Sequence, residues 1–87
     1  MVEVYGLDDC YHCLRIKQLL EVFDIDHEYL LISDREVRTK FQYLFPDAIG
    51  VPQVMWDCVR ISGYDNVAKK VDEHIANTMN YGEGEVQ

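Results

Sequence analysis

Apolar and polar residues alternate at the start of the chain and then change to a helical spacing. Residues 2–5 alternate as in a short strand, and Gly6 ends that strand. From Cys10 onward, apolar residues recur every three or four positions, which predicts a first helix of about three to four turns that ends near Asp24. The apolar run 27–32 predicts a second strand, buried and parallel to the first.

The rest of the pattern predicts a helix, a hairpin and a last helix. Ser33 or Asp34 can cap the second helix. Segments 53–56 and 58–61, on either side of Asp57, predict a tight antiparallel hairpin. Both helices have an apolar inward face, formed by Val37, Phe41 and Leu44 in the second helix and by Val67, Val71 and Ile75 in the last.

The predicted element order is β-α-β-α-β-β-α. A strand–helix–strand unit implies a right-handed parallel crossover, and the hairpin adds antiparallel strands to the same sheet. The fold class is therefore α/β, a thioredoxin-like four-stranded mixed sheet with helices on both faces. At 87 residues the chain is expected to form a single domain over 1–79, and the C-terminal segment 80–87 is predicted to fray.

Composition and charge narrow the classes of function. The formal net charge is −8, from 16 acidic and 8 basic residues, which disfavours nucleic-acid binding and anionic membrane surfaces. No apolar run reaches the roughly 18 to 20 residues of a membrane span, and the first residues lack the basic start of a signal peptide. We therefore expect a cytoplasmic protein, in a reducing compartment where paired cysteines are more often catalytic or metal-binding than structural.

Two cysteines separated by two residues, Cys10 and Cys13, lie where the first helix is predicted to begin. Residues at this spacing share a helix face and can form a disulfide. The N-terminus of a helix favours a thiolate, which is the attacking species in disulfide exchange. Cys10, nearest the loop, is therefore predicted to be the nucleophile, and Cys13, one turn further in, the resolving thiol.

A zinc site is the alternative interpretation of this pair, because two thiolates supply half of a tetrahedral ligand set. The sequence has no second pair of cysteines and no closely spaced pair of histidines. The other candidate ligands, Cys58, His27 and His74, are isolated from one another along the chain. The dithiol interpretation without a metal is therefore favoured, and Cys58 is interpreted as a small hydrophobic residue of the hairpin.

Three motifs, in this order and at these spacings, make the chain resemble the short dithiol glutaredoxins of bacterial and phage type over almost its whole length. They are Cys10-Tyr11-His12-Cys13 after the first strand, Val51-Pro52 before the third strand and Gly63-Tyr64-Asp65 before the last helix. The resemblance implies that Pro52 follows a cis peptide bond and faces the cysteines. It also implies that the backbone of Val51 pairs with the cysteine part of glutathione.

The resemblance assigns further residues to glutathione. Gly63 and Asp65 would hold its γ-glutamyl end, and Arg38 and Lys40 on the second helix are candidates for its glycine carboxylate. Substrate and glutathione contacts are thus expected from Tyr11, His12, Val51, Pro52, Gly63, Tyr64, Asp65, Arg38 and Lys40.

The sequence departs from the family pattern close to the cysteines. Asp8 and Asp9 stand where a basic residue is usual, and their charges should raise the pKa of the Cys10 thiol. The histidine beside the resolving cysteine, His12, resembles the pattern in the more oxidising members of the thioredoxin superfamily. The alternative is an exposed histidine with no effect on the redox couple. Gly50 stands where a threonine usually precedes the Val-Pro pair.

The resemblance implies a glutathione-dependent thiol–disulfide oxidoreductase. Protein disulfides and glutathione mixed disulfides would be its substrates, with ribonucleotide reductase as one protein partner. Glutathione would be a co-substrate, no cofactor would be tightly bound, and the protein is expected to be a monomer. Two alternatives stay open: a redoxin reduced by thioredoxin reductase, which Ser62-Gly63-Tyr64 favours, and an iron–sulfur cluster-binding module.

Overall fold

The computed structural model describes the backbone of residues 1–86 and the side chains of residues 1–78. Strands and helices follow one another in the predicted order, which is therefore confirmed. The elements are β1 (Val2–Gly6), α1 (Tyr11–Val22), β2 (His27–Leu31), α2 (Arg35–Leu44), β3 (Gln53–Trp56), β4 (Val59–Ile61) and α3 (Tyr64–Val86).

The four strands form one mixed sheet in the order β2-β1-β3-β4. β1 pairs with β2 in parallel and with β3 antiparallel, and β3 and β4 form the antiparallel hairpin. The crossover through α1 accounts for the parallel pair, since parallel neighbours need a long connection. The predicted thioredoxin-like architecture is confirmed.

Side chains of β1 point alternately to the two faces of the sheet, and each face is covered by helices. On one face the core contains residues of β1, β3, α1 and α3 together with one residue of the segment between α1 and β2, namely Val2, Val4, Ile16, Leu20, Ile25, Val54, Trp56, Val67 and Val71. On the other face the buried Tyr5 ring meets the rings of Phe41 and Phe45, with centroids 6.0 and 5.5 Å away. The prediction of helices on both faces is confirmed.

The prediction that the second strand is buried was wrong. Among the residues whose backbone is described, β2 lies at the edge of the sheet and pairs with β1 alone, so one side of its backbone has no partner strand. Glu28 is exposed, and the other residues of β2 are only half-buried. A continuous apolar run is typical of central parallel strands, and it does not distinguish them from an edge strand packed on one face.

The cap of α2 is Asp34 rather than Ser33. Its Oδ1 accepts hydrogen bonds from the backbone N–H groups of Glu36, at 2.9 Å, and Val37, at 3.3 Å. These bonds satisfy two of the N–H groups that a helix leaves unpaired at its start.

The β3–β4 hairpin has a two-residue turn, and this corrects the interpretation of Cys58. Trp56 pairs directly with Val59, so Asp57 and Cys58 form the turn, with φ values of 48° and 68°. Turns with two positive φ values match the twist of the flanking strands. Cys58 is exposed in this turn. It therefore does not pack as a small hydrophobic residue.

The predicted apolar stripe of the last helix is confirmed. Val67 and Val71 are buried, and Ile75 packs against the same core. The predicted fraying of 80–87 falls outside the residues whose side chains are described, so it and the domain bounds 1–79 stay predictions. Within the described residues, no helix combines the length and the apolar character needed to cross a membrane.

A polar network lies against the ring of Tyr5 on the α2 side of the sheet. The Tyr5 hydroxyl donates to Glu3 Oε1 at 2.8 Å, and Lys40 Nζ donates to Glu3 Oε2 at 3.1 Å. Burial, reinforced by the bond to Glu3, raises the pKa of Tyr5 to about 12. Burial opposes ionisation of Glu3, but the bonds from Tyr5 and Lys40 outweigh it and lower the pKa of Glu3.

This network predicts a specific loss of stability at alkaline pH. The folded chain holds the Tyr5 proton more tightly than the unfolded chain, so stability falls as the pH rises from the ordinary tyrosine value of 10.0 towards about 12. We expect Tyr5→Phe to remove this part of the loss, measured as the free energy of urea unfolding from neutral to alkaline pH. Parallel alkaline curves for the two proteins would contradict the prediction.

Candidate active site

The register of the sheet brings the three sequence motifs to one end of the molecule. β1 ends at Gly6, and the loop that follows leads to Cys10. Tyr5 is opposite Gln53, so Pro52 enters the sheet at the same end. β4 runs back to that end, because Ile61 is opposite Val54, and it leads into the third motif.

Cys10 is the N-cap of α1, and its sulfur takes the role that an oxygen plays in ordinary caps. Its Sγ accepts a hydrogen bond from the Cys13 backbone N–H at 3.2 Å. Its backbone carbonyl accepts the first bond of the helix, from Leu14 N–H at 3.0 Å. The sulfur therefore lies at the positive end of the helix dipole, where a negative charge is stabilised.

Cys10 and Cys13 form a disulfide, and their Cα atoms are 5.1 Å apart. Cys10 is half-buried, whereas Cys13 has no exposed surface. An attacking thiolate must be reached by its substrate, and only Cys10 meets this condition. The unequal burial is what the predicted roles require, and the assignment of Cys10 as nucleophile and Cys13 as resolving thiol stays a prediction.

Gly6 gives the Cys13 side chain the room that it occupies against β1. A Cβ atom placed on Gly6 would lie 2.9 Å from Cys13 Sγ and 2.7 Å from the Tyr29 hydroxyl oxygen. Both distances are too short for a carbon atom, so the close packing of Cys13 on the strand requires a residue without a side chain. Tyr29, which sequence reasoning did not single out, is thereby a neighbour of the cysteine pair.

Tyr29 also holds the loop that leads to Cys10. Its hydroxyl donates to the backbone carbonyl of Leu7 at 2.6 Å. Burial, together with the negative charge of Asp8, raises the pKa of Tyr29. The signal for this residue is its place on the strand that pairs with β1, and it becomes visible only once the register is known.

Arg15 is a second residue that sequence reasoning missed. Its guanidinium carbon lies 4.1 Å from the ring centroid of Tyr64 and 5.9 Å from that of Tyr11. Arg15 follows Tyr11 by four residues, one helical turn, and this spacing was the available signal. The contact connects the first turns of α1 with the start of α3 and places a positive charge between two of the predicted substrate-binding tyrosines.

The other predicted binding residues at this end have the expected backbone geometry. The Val51–Pro52 peptide bond is cis, as the resemblance implied, and Gly63 has a φ of 82°. Asp65 is exposed in the first turn of α3. The contacts that these residues would make with a ligand stay predictions.

The two cations predicted on α2 differ in their surroundings. Arg38 borders a groove of about 370 Å³, lined also by Ile32, Phe41, Gln42, Phe45, Pro46 and Ala48. Lys40 is engaged in its ion pair with Glu3, which lies near the start of β1 and away from the end that carries the cysteines. Among the described side chains, Lys40 is thus not gathered with the three motifs.

The rim of the site combines negative charge with exposed aromatic surface. Asp8, Asp9 and His12 are exposed, and Tyr11 is 70% exposed. In the described part of the chain, neither aspartate forms an ion pair. The described residues include no cluster of three or more histidine, cysteine, aspartate or glutamate side chains that could hold a metal ion.

Comparison with known families agrees with this geometry. The sequence model of the glutaredoxin family matches residues 2–61, which extend from β1 to the end of β4. The chain belongs to the glutaredoxin family. It has the fold of the family's thiol–disulfide oxidoreductases, with Cys10 and Cys13 as its disulfide-capable pair.

Solved glutaredoxin structures are similar over most of the chain. Reduced Escherichia coli glutaredoxin is 26% identical with a TM-score of 0.69, covering 85% of this chain and 95% of that one. Francisella tularensis glutaredoxin 1, complexed with cacodylate, is 25% identical with a TM-score of 0.68, covering 85% and 94%. A buckwheat glutaredoxin–glutathione complex shares the fold at 21% identity and a TM-score of 0.68, covering 84% and 69%. No sequence among the curated proteins matches the chain significantly.

The packing around Gly6 gives a prediction for stability. Gly6→Ala places a carbon atom against Cys13 and Tyr29, and it should lower the free energy of unfolding by about 1–3 kcal/mol. The matched control is Gly50→Ala, because a Cβ atom at Gly50 meets nothing within 4 Å. We expect the control to change stability by less than about 0.5 kcal/mol in urea unfolding. Equal effects of the two substitutions would refute the close contact.

Proposed function

We propose that this glutaredoxin-family chain is a glutathione-dependent enzyme that reduces protein disulfides and glutathione mixed disulfides. The observation that carries the proposal is the placement of the cysteine pair. One sulfur caps a helix and is accessible, and the other is buried one turn further along. This arrangement suits two successive exchange steps between sulfur atoms.

In the first step the Cys10 thiolate attacks a substrate disulfide, one substrate thiolate leaves, and a mixed disulfide with Cys10 forms. In the second step Cys13 attacks Cys10 Sγ, and the other substrate thiol is released. The protein is then in the Cys10–Cys13 disulfide state described above. Two molecules of glutathione return it to the dithiol, one by forming a mixed disulfide with Cys10 and the other by releasing glutathione disulfide.

Glutathione as the reductant is supported by the arrangement of the binding motifs. Val51 precedes the cis peptide bond, and its backbone can pair with the cysteine part of an extended peptide. Arg15 adds a cation beside Tyr64, in a region where the family binds the peptide's γ-glutamyl end. The buckwheat relative has been solved with glutathione bound, which further supports the same ligand here.

The acidic rim sets a limit on how tightly an anionic peptide can bind. Asp8 and Asp9 precede the nucleophile, and the chain has a net charge of −8. Repulsion between these groups and glutathione should weaken as salt is added, because exposed charges are screened. We accordingly propose that protein disulfides are important substrates, with ribonucleotide reductase as one protein partner. We also propose that the enzyme is monomeric and cytoplasmic.

A coupled assay tests the identity of the reductant. We expect bis(2-hydroxyethyl) disulfide to be reduced at the expense of NADPH when glutathione and glutathione reductase are supplied. The alternative of a redoxin reduced by thioredoxin reductase is favoured by Ser62, which precedes Gly63-Tyr64. Turnover with thioredoxin reductase alone, and none with the glutathione system, would overturn the proposal in favour of that alternative.

Replacement of the two cysteines should have different effects on activity. Cys10→Ser removes the nucleophile and is expected to reduce the rate to background with every substrate. Cys13→Ser should retain reduction of glutathione mixed disulfides, which needs one thiol, and lose reduction of protein disulfides. Cys58→Ser is the control, since Cys58 lies in the hairpin turn and should leave both activities intact. Equal losses from the first two substitutions would contradict the assigned roles.

A further inference from the structure

The resolving step needs a thiolate on Cys13, whereas the start of the helix stabilises a thiolate on Cys10. Cys13 must lose its proton before it can attack, yet it has no exposed surface. Burial disfavours a thiolate unless a hydrogen-bond donor or a positive charge is close to it. In the disulfide state the Cys13 sulfur carries no charge, so the group that would assist it must be identified from its neighbours.

The hydroxyl of Tyr29 is such a neighbour. Tyr29 lies on β2 opposite Val4, so its side chain is on the same face of the sheet as α1. The hydroxyl oxygen and Cys13 Sγ approach the same point above Gly6, at 2.7 and 2.9 Å from a Cβ atom placed there. A phenol O–H at this position can donate to a thiolate, and its oxygen can accept from a thiol.

The hydroxyl is occupied elsewhere when the disulfide is closed. It donates to the carbonyl of Leu7 at 2.6 Å. The bond to Leu7 must therefore be given up before the hydroxyl hydrogen can turn, by rotation about the phenol C–O bond, towards Cys13. The charged side chains that influence the hydroxyl are Asp8 in the loop and Lys17 on α1. Lys17 is itself paired with Glu21 at 2.8 Å.

We propose that Tyr29 is the positioning residue of the resolving thiol, an inference that rests on the proposed dithiol function. In the dithiol and mixed-disulfide states its hydroxyl donates a hydrogen bond to the Cys13 sulfur as the thiolate forms. The proton of Cys13 passes to water, and the new thiolate attacks Cys10 Sγ. The bond between Cys10 and the substrate sulfur breaks, and the substrate leaves as a thiolate that takes up a proton.

Stopped-flow reaction with 5,5′-dithiobis(2-nitrobenzoate) separates the two steps without glutathione. The chain should carry Cys58→Ser, so that only the active-site pair reacts. Attack by Cys10 releases a first coloured thiolate, and closure of the disulfide by Cys13 releases a second. We expect Tyr29→Phe to slow the second release about tenfold, as for a lost hydrogen bond to a charged group. The first release should change much less, because loss of the bond to Leu7 affects only the loop before Cys10.

The matched control is Tyr5→Phe, which removes a hydroxyl from the opposite face of the sheet, where it bonds Glu3. This control should release both thiolates at the parent rates. Equal slowing of both releases by Tyr29→Phe would show a general structural effect and overturn the proposal. Closure by Tyr29→Phe at the parent rate would overturn it as well.

The pH dependence of closure gives a readout that a merely structural role would not change. Tyr29→Phe should shift the rise of the closure rate to higher pH, and the ¹³C resonance of Cys13 Cβ in the Cys10→Ser, Cys58→Ser chain should titrate at higher pH too. Unshifted profiles would overturn the proposal. A parent chain that never releases the second thiolate would contradict the proposed dithiol function itself, whereas failures confined to Tyr29→Phe would leave that function standing.

Discussion

The hydrogen bond from the Cys13 backbone N–H to Cys10 Sγ is the interaction on which the site depends. It makes Cys10 the N-cap of α1, so the same backbone that orders the helix also orients the Cys10 sulfur. The other cysteine is then carried by the helix into the core, against the glycine that ends β1. A single local motif thus gives two chemically identical side chains different exposure, which suits the different tasks that we propose for them.

Much of this arrangement is encoded locally and was therefore predictable from the sequence. Helical spacing defined α1 and α3, and alternation defined β1, because packing on one face imposes those periods. The parallel crossover and the hairpin then predicted a mixed four-stranded sheet, whose strand order became known only from the structure. The cysteine pair could be assigned to the N-terminus of a helix for the same reason, since it lies between a segment with the pattern of a strand and one with the pattern of a helix.

What the sequence did not reveal depends on contacts between distant segments. The edge position of β2 follows from pairing on one side alone, and an apolar run does not report this. Cys58 was assigned to a strand because the pattern cannot tell whether one or two residues make the turn. Tyr29 and Arg15 resemble ordinary half-buried and surface residues until the fold brings them beside Cys13 and Tyr64.

The free cysteine and the cysteine pair lie at opposite ends of the sheet. The hairpin turn lies beside the start of β1, where Asp57 N–H donates to the Met1 carbonyl, whereas the cysteine pair follows the opposite end of that strand. In the disulfide state, Cys58 is the one free thiol. A maleimide dye would therefore label a single position remote from the reacting sulfurs. Labelled in this way, the chain could be attached to a surface or followed by fluorescence while the end that carries the cysteine pair stays accessible.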